Sequence, residues 1–276
     1  MPEAEKAYKN LSFLTSPGAR HIRILCEYEE PRLRFLQHGV KDTIVMFGSA
    51  RVRPPEVARA DAEAARLELA GEPPDSPHRP HLERALIQAE RGLKIARYYD
   101  DARQLAARLT EWGMNHKGRR HFICSGAGPG IMEAAKRGAM DVPGGKSVGL
   151  GISLPFEPEN NAYVTPELGF EFHYFFMRKY WFTYLAKALV VFPGGFGTMD
   201  ELFEILTLRQ TGRVTKRLPT VLFGRDYWDA VLNLDAMVEW GVVSEKDLGL
   251  LHRTDSVDDA YAFLTRALES DERVDR

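Results

Sequence analysis

Short apolar runs recur along the chain, and most are followed by small residues and then by apolar positions at helical spacing. The runs Thr43–Phe47, His121–Cys124, Lys146–Ile152, Ala188–Phe192 and Leu218–Phe223 read as strands, several of them apolar throughout, as strands buried on both faces are. Phe170–Tyr174 alternates apolar and polar, and Leu250–Thr254 reads as a last short strand. Between them the 3.6-residue period predicts helices. One covers Ala19–Glu30 and stops at Pro31; another covers Glu56–Ala70. His81–Trp112 forms one long helix or two, with Gly92 as the break and Gly113 closing the end. A helix opens near Pro129, the next runs from Phe175 to Lys187, and a third ends near Gln210. Asp226 caps a helix to Trp240, Ser244 starts a short helical turn, and Ser256 caps the last helix. Strands alternating with helices predict an α/β fold with a doubly wound parallel sheet, modified Rossmann-like. The expected organisation is a helical extension over 1–40, one nucleotide-binding domain over 41–268, and a charged tail over 269–276.

In such sheets ligands bind beyond the C-terminal strand ends. Three glycine-rich turns fall there. The richest is Pro193-Gly194-Gly195-Phe196-Gly197-Thr198-Met199-Asp200-Glu201, between the Ala188–Phe192 strand and a helix. Its glycines allow positive φ and put no Cβ in a ligand's way. The free N–H groups of the next helix, with the positive end of its dipole, suit a phosphate. Thr198 adds a hydroxyl, and Glu201 lies one turn further in. The plain structural alternative is a capping box, with Thr198 as N-cap and Glu201 at the third helical position. The second turn, Ser125 to Gly130, carries Gly126, Gly128 and Gly130 but lacks the G-x-G-x-x-G spacing of a dinucleotide fingerprint. The third, Gly48-Ser49-Ala50-Arg51, offers small residues and a cation for a phosphate or ribose. Arg178 and Lys179 sit among Phe175, Phe176, Tyr180, Trp181 and Phe182. That setting suits either a ligand-facing pair or two cations whose stems lie along core aromatics. The long loop Pro155–Pro166, with Glu157, Glu159, Asn160, Asn161 and Tyr163, reads as a functional lid.

Charge and composition narrow the picture. A formal net charge of −2 with no basic block gives no electrostatic footprint for nucleic acid. No apolar run reaches the roughly 20 residues of a membrane span. Met1–Lys6 carries no signal-peptide core, and Cys124 reads as a buried free thiol, so a cytoplasmic protein is expected. His78 and His81 lie in proline-rich sequence that prevents a helical ligand pair, and no metal site is expected.

The nine-residue motif at 193–201 resembles the P-G-G-x-G-T-x-x-E signature of the LOG (Lonely Guy) proteins. Met177-Arg178-Lys179 resembles the M-x-R-K-type element that precedes it in that family, and Ser125–Met132 its glycine-rich turn, with Ala127 in place of a glycine. The likeness covers roughly residues 43–240. The N-terminal extension and the 52–112 insertion place the chain with the longer bacterial members rather than the short plant type. The resemblance implies hydrolysis of the N-glycosidic bond of a nucleoside 5′-monophosphate, a cytokinin riboside monophosphate or AMP, to free base and ribose 5-phosphate. It implies Arg178 and Glu201 as the catalytic pair, with Gly194, Gly195, Gly197 and Thr198 on the phosphate. Gly48, Ser49, Gly128, Gly130, Met177 and Lys179 complete the expected nucleotide-binding set. It further implies a homodimer or higher homo-oligomer, and no cofactor.

The chemistry agrees from below, because glycosidic cleavage builds positive charge on the ribose and a fixed carboxylate offsets it. Arg178 serves either the phosphate or the departing base, and the sequence leaves both open. Two other readings stand beside this one. A non-catalytic nucleotide or phospho-cofactor carrier needs the turns but not the Arg178–Glu201 pair. A true lysine decarboxylase needs pyridoxal phosphate on a lysine, and Lys146, Lys179 and Lys187 are the available side chains.

Overall fold

The structure, a computed structural model, describes residues 5–116, 120–153 and 161–274. Seven strands form one all-parallel sheet: β1 (Asp42–Phe47), β2 (His121–Ser125), β3 (Ser147–Ile152), β4 (Gly169–Phe172), β5 (Ala186–Val191), β6 (Thr220–Phe223) and β7 (Leu251–Thr254). Their order is β4-β3-β2-β1-β5-β6-β7. The chain builds outward from β1 to β4, then returns to lay β5 on the other side of β1. The β1/β5 boundary is therefore the switch point, where a crevice opens above the strand ends. The α/β, doubly wound, Rossmann-like expectation holds on this topology.

Twelve helices flank the sheet among the described residues: α1 (Leu11–Leu14), α2 (Arg20–Gln37), α3 (Pro55–Gly71), α4 (Arg79–Ile95), α5 (Arg97–Asn115), α6 (Ile131–Met140), α7 (Phe175–Leu185), α8 (Phe196–Gln210), α9 (Arg225–Val231), α10 (Leu234–Glu239), α11 (Glu245–Leu248) and α12 (Val257–Val274). Strand alternation divides the core. Ile44 and Met46 of β1 pack with Leu105 and Leu109 of α5, Ile131 of α6 and Leu264 of α12. Val45 and Phe47 pack with Phe35 of α2, Trp181 and Phe182 of α7 and Leu202 of α8. Both faces are covered, as a parallel sheet requires.

Several boundaries differ from the sequence reading, each for a local reason. The first long helix does not stop at Pro31 but runs to Gln37 with that proline buried inside it. Pro31 donates nothing to the Glu27 carbonyl, and the Trp181 indole N–H donates to it instead at 3.0 Å. The 81–112 region is two helices, but the break falls at Ala96 rather than Gly92. Gly113 does not close α5; a Cβ there would lie 2.8 Å from the His121 carbonyl, so the glycine lets the helix press onto β2. Pro129 precedes α6, which starts after Gly130 at φ 72°. The helix expected to reach Lys187 ends at Leu185, since Ala186 already pairs with β1. Asp226 is not a cap. Gly224, at φ 98°, precedes α9, and Asn233 caps a separate α10 by accepting from the Ala236 N–H.

Candidate functional site

A cleft of about 1160 Å³ opens over the β1/β5 switch point. All three glycine-rich turns line it, through Gly48, Ser49, Ala50 and Arg51, then Gly126, Ala127 and Gly128, then Pro193 to Thr198. They also brace one another. The Ser49 N–H donates to the Pro193 carbonyl at 2.9 Å, and the Ile131 N–H donates to the Ser49 carbonyl at 3.2 Å. Gly130 belongs to this bracing and not to the cleft lining. A Cβ on it would strike the Ser49 carbonyl, so its positive φ and missing side chain let two turns touch.

The central turn differs in one respect from expectation. α8 begins at Phe196 with Gly195 as N-cap, three residues earlier than the capping-box reading requires. Gly194, Gly195 and Gly197 are not at positive φ either; Gly195 has φ −87°. What matters is space: a Cβ on Gly195 or Gly197 would meet nothing within 4 Å. The first turn of a fifteen-residue helix thus lines an open cleft into which Gly195 and Gly197 put no side chain. Gly194 is different, because Thr198 closes over it. Its carbonyl accepts the Tyr227 hydroxyl, which pins the turn to α9.

With the helix starting at Phe196, Glu201 lies in the second turn of α8, too far in for a capping box. It is 4 % exposed. Its Oε1 lies 3.8 Å from Nη2 of Arg178, which comes from α7. Arg178 also stacks near the Phe175 and Phe182 rings. Burial pushes the Glu201 carboxyl up to about 7, against the opposing pull of Lys179 and Arg178. A buried carboxyl with a raised pKa in a cleft is a candidate for a functional role.

The structure brings Gly48, Ser49, Gly128, Arg178, Gly194, Gly195, Gly197, Thr198 and Glu201 to this one cleft. It does not bring Met177 or Lys179 there. Met177 is buried in the core. Lys179 turns to α8, where its ammonium meets Asp200 and Glu204 at 2.8 Å each. Glu157, Glu159 and Asn160 of the expected lid lie outside the described residues. Asn161, read only as part of that loop, has a definite role. Its side-chain amide donates to the Ala127 and Gly128 carbonyls at 2.9 and 2.8 Å, holding the second turn.

Sequence reasoning missed Lys136, Tyr227 and Glu27. Lys136 is fully buried behind the second turn, and its ammonium donates to the Ser125 hydroxyl at 2.6 Å and to the Gly126 carbonyl. Burial lowers its pKa to about 7. Its sequence signal is weak, since the lysine adjoins Arg137 at the edge of the apolar stripe of Ile131, Ala134, Ala135 and Ala139. Among the described residues no cluster of three or more His, Cys, Asp or Glu side chains could hold a metal. Nor is any helix there long and apolar enough to cross a membrane. Cys124 is a buried free thiol as expected, and Cys26 is exposed.

Residues 132–264 match the family described as "Possible lysine decarboxylase". The chain is 31 % identical over 151 residues to a cytokinin riboside 5′-monophosphate phosphoribohydrolase of Arabidopsis thaliana. That alignment spans 53 % of this chain and 65 % of the plant protein, just under two thirds of its length. Two structures of molybdenum cofactor carrier protein from Chlamydomonas reinhardtii are also similar. One has 16 % identity and a TM-score of 0.47, covering 83 % of this chain and 99 % of that one. The other has 19 % identity and a TM-score of 0.41, covering 62 % and 88 %.

Proposed function

We propose, on the premise that this chain belongs to the LOG, or "possible lysine decarboxylase", family, that it hydrolyses nucleoside 5′-monophosphates to free base and ribose 5-phosphate. One observation carries the reading. The buried Glu201 carboxylate, beside Arg178, stands one helical turn behind an open helix N-terminus suited to a phosphate. A 5′-phosphate on the Gly195–Thr198 amides brings the ribose towards Glu201. The C1′–N bond then breaks as positive charge builds on the ribose, and the ionised carboxylate offsets that charge. Water oxygen bonds to C1′. One water proton ends on the base nitrogen and the other stays on the new hydroxyl. Arg178 stands where it can hold the phosphate or balance charge on the departing base.

A lysine decarboxylase reading fits less well, because no lysine lines the described cleft and Lys179 is committed to Asp200 and Glu204. The test is incubation with AMP, GMP, CMP and UMP, read by chromatography for free base. Base release with ribose 5-phosphate in equal amount is expected. Tight binding of the monophosphates with no release from any of them would favour a carrier and sink the hydrolase.

A further inference from the structure

Residue 27 touches α7 twice. Its carboxylate accepts the His173 N–H at 2.8 Å through one oxygen and the Tyr174 N–H at 3.2 Å through the other. These are the residues that lead into α7, and Tyr174, the N-cap, offers no side-chain cap of its own. A carboxylate at a helix N-terminus also complements the helix dipole. The Glu27 main-chain carbonyl takes the Trp181 indole N–H at 3.0 Å. That carbonyl is open to a side chain because Pro31, four residues on, brings no N–H to it. Tyr28 and Phe35 of α2 pack on the Trp181 ring with centroids 6.0 and 5.2 Å away.

Arg178 lies between these anchors, four residues after Tyr174 and three before Trp181. On the opposite side, Lys179 ties α7 to Asp200 and Glu204 of α8. α7 is therefore hydrogen-bonded to α2 through Glu27 and ion-paired to α8 through Lys179, and Arg178, 3.8 Å from Glu201, lies along α7 beside both ties.

We propose that Glu27 is a positioning residue for Arg178, so that the N-terminal segment is part of the working site rather than a cover for the sheet. The proposal rests on the hydrolase reading of the cleft for its kinetic consequence, but not for its structural one. A side chain some 150 residues before the arginine thus sets where that arginine stands.

The test uses the full chain carrying Glu27→Ala, Glu27→Gln or Pro31→Ala. The readouts are kcat and KM for AMP, hydrogen exchange of amides 173–178, and thermal unfolding. Glu27→Ala should speed exchange at 173–178 and lower kcat by about tenfold or more, with KM moving less than about threefold, because the phosphate turn belongs to α8. Glu27→Gln keeps one acceptor oxygen and should fall between. Pro31→Ala restores an N–H that competes with the indole for the Glu27 carbonyl while improving helix propensity. It should lower kcat without lowering the melting temperature, a combination that a purely structural role does not produce. Unchanged exchange at 173–178 in Glu27→Ala overturns the proposal whether or not the wild type turns over AMP. So does a kcat within twofold of wild type, or one that falls only with the folded fraction. A wild type that releases no base sinks the hydrolase reading separately, and the exchange measurement still decides the clamp.

Discussion

Replacing Glu201 by glutamine should strengthen the fold at alkaline pH and remove most turnover. Burial raises the carboxyl from an ordinary 4.5 to about 7. The folded protein then keeps this proton to higher pH than the unfolded chain does. That contribution to stability is fully present below pH 4.5 and is lost as pH rises through 7. At about 1.4 kcal/mol per pH unit, the charged carboxylate withholds roughly 3 kcal/mol from the fold at pH 8 and above. Glutamine avoids this loss, so the melting temperature of the variant relative to wild type should rise by on the order of 5 °C between pH 5 and pH 9. Turnover moves the other way. A unit positive charge about 4 Å from a carboxylate is worth about 4 kcal/mol at an effective dielectric near 20. The ribose is only partly charged and Arg178 competes for Glu201, so about 3 kcal/mol, or about a hundredfold in kcat, is expected. Wild-type kcat/KM should climb with pH through about 7 as Glu201 ionises, and the variant should lack that limb. Scanning calorimetry at the two pH values and base release from AMP between pH 5.5 and 9 measure both effects. A variant that keeps more than a tenth of wild-type kcat, or whose melting difference is the same at both pH values, refutes the reasoning.

The remaining predictions concern the ligand's other contacts. Gly195→Val should leave the fold intact, because φ there is −87° and a Cβ meets no neighbour. It should nevertheless weaken ribose 5-phosphate binding by tenfold or more in a calorimetric titration; unchanged affinity would put the anion elsewhere. Adenosine should be far poorer than AMP in kcat/KM, since phosphate binding at the turn helps drive the reaction at the sugar; comparable values would remove the phosphate from that turn. Lys136, with its pKa lowered to about 7, penalises the fold while charged and releases the penalty as pH rises from 7 towards 10.5. Lys136→Met should abolish that part of the pH dependence in denaturant unfolding between pH 7 and 10, and a slope identical to wild type would contradict the burial argument.

Much of the fold could be read from period alone, because the central strands are buried on both faces and their runs are largely apolar. The three turns could be read too, since glycine clusters at strand ends have few other uses. Turn geometry was less legible. The motif at 193–201 does not reveal that α8 starts at Phe196, because helix propensity says little about which residue is the N-cap. That offset separates a capping glutamate from a buried one. Pro31 sits inside α2 for a more general reason. Proline breaks a helix when the carbonyl four residues back is left unsatisfied, and here Trp181 satisfies it from 154 residues away in sequence. Glu27 carries no local signal at all, because the amides it accepts from lie on another element. Met177 and Lys179 show the opposite error: they adjoin the arginine in sequence, but helical geometry turns them to the core and to α8.

The distance along the chain between α2 and its partners has a consequence for how the molecule is made. Residues 20–37 leave the ribosome long before 169–181, the segment whose backbone and indole they bind. At roughly 5–20 residues per second, about 7–30 s of synthesis separate the two. Until then Phe35 and Tyr28 of α2 lack Trp181 and Phe170, the rings they pack on in the folded chain. The first strands can assemble in the meantime. Arg178 reaches its place opposite Glu201 only after β5 and the start of α8 have been translated. During synthesis the nascent chain therefore passes through a stage in which β1 to β3 exist without α7, and α2 lacks the rings that cover it.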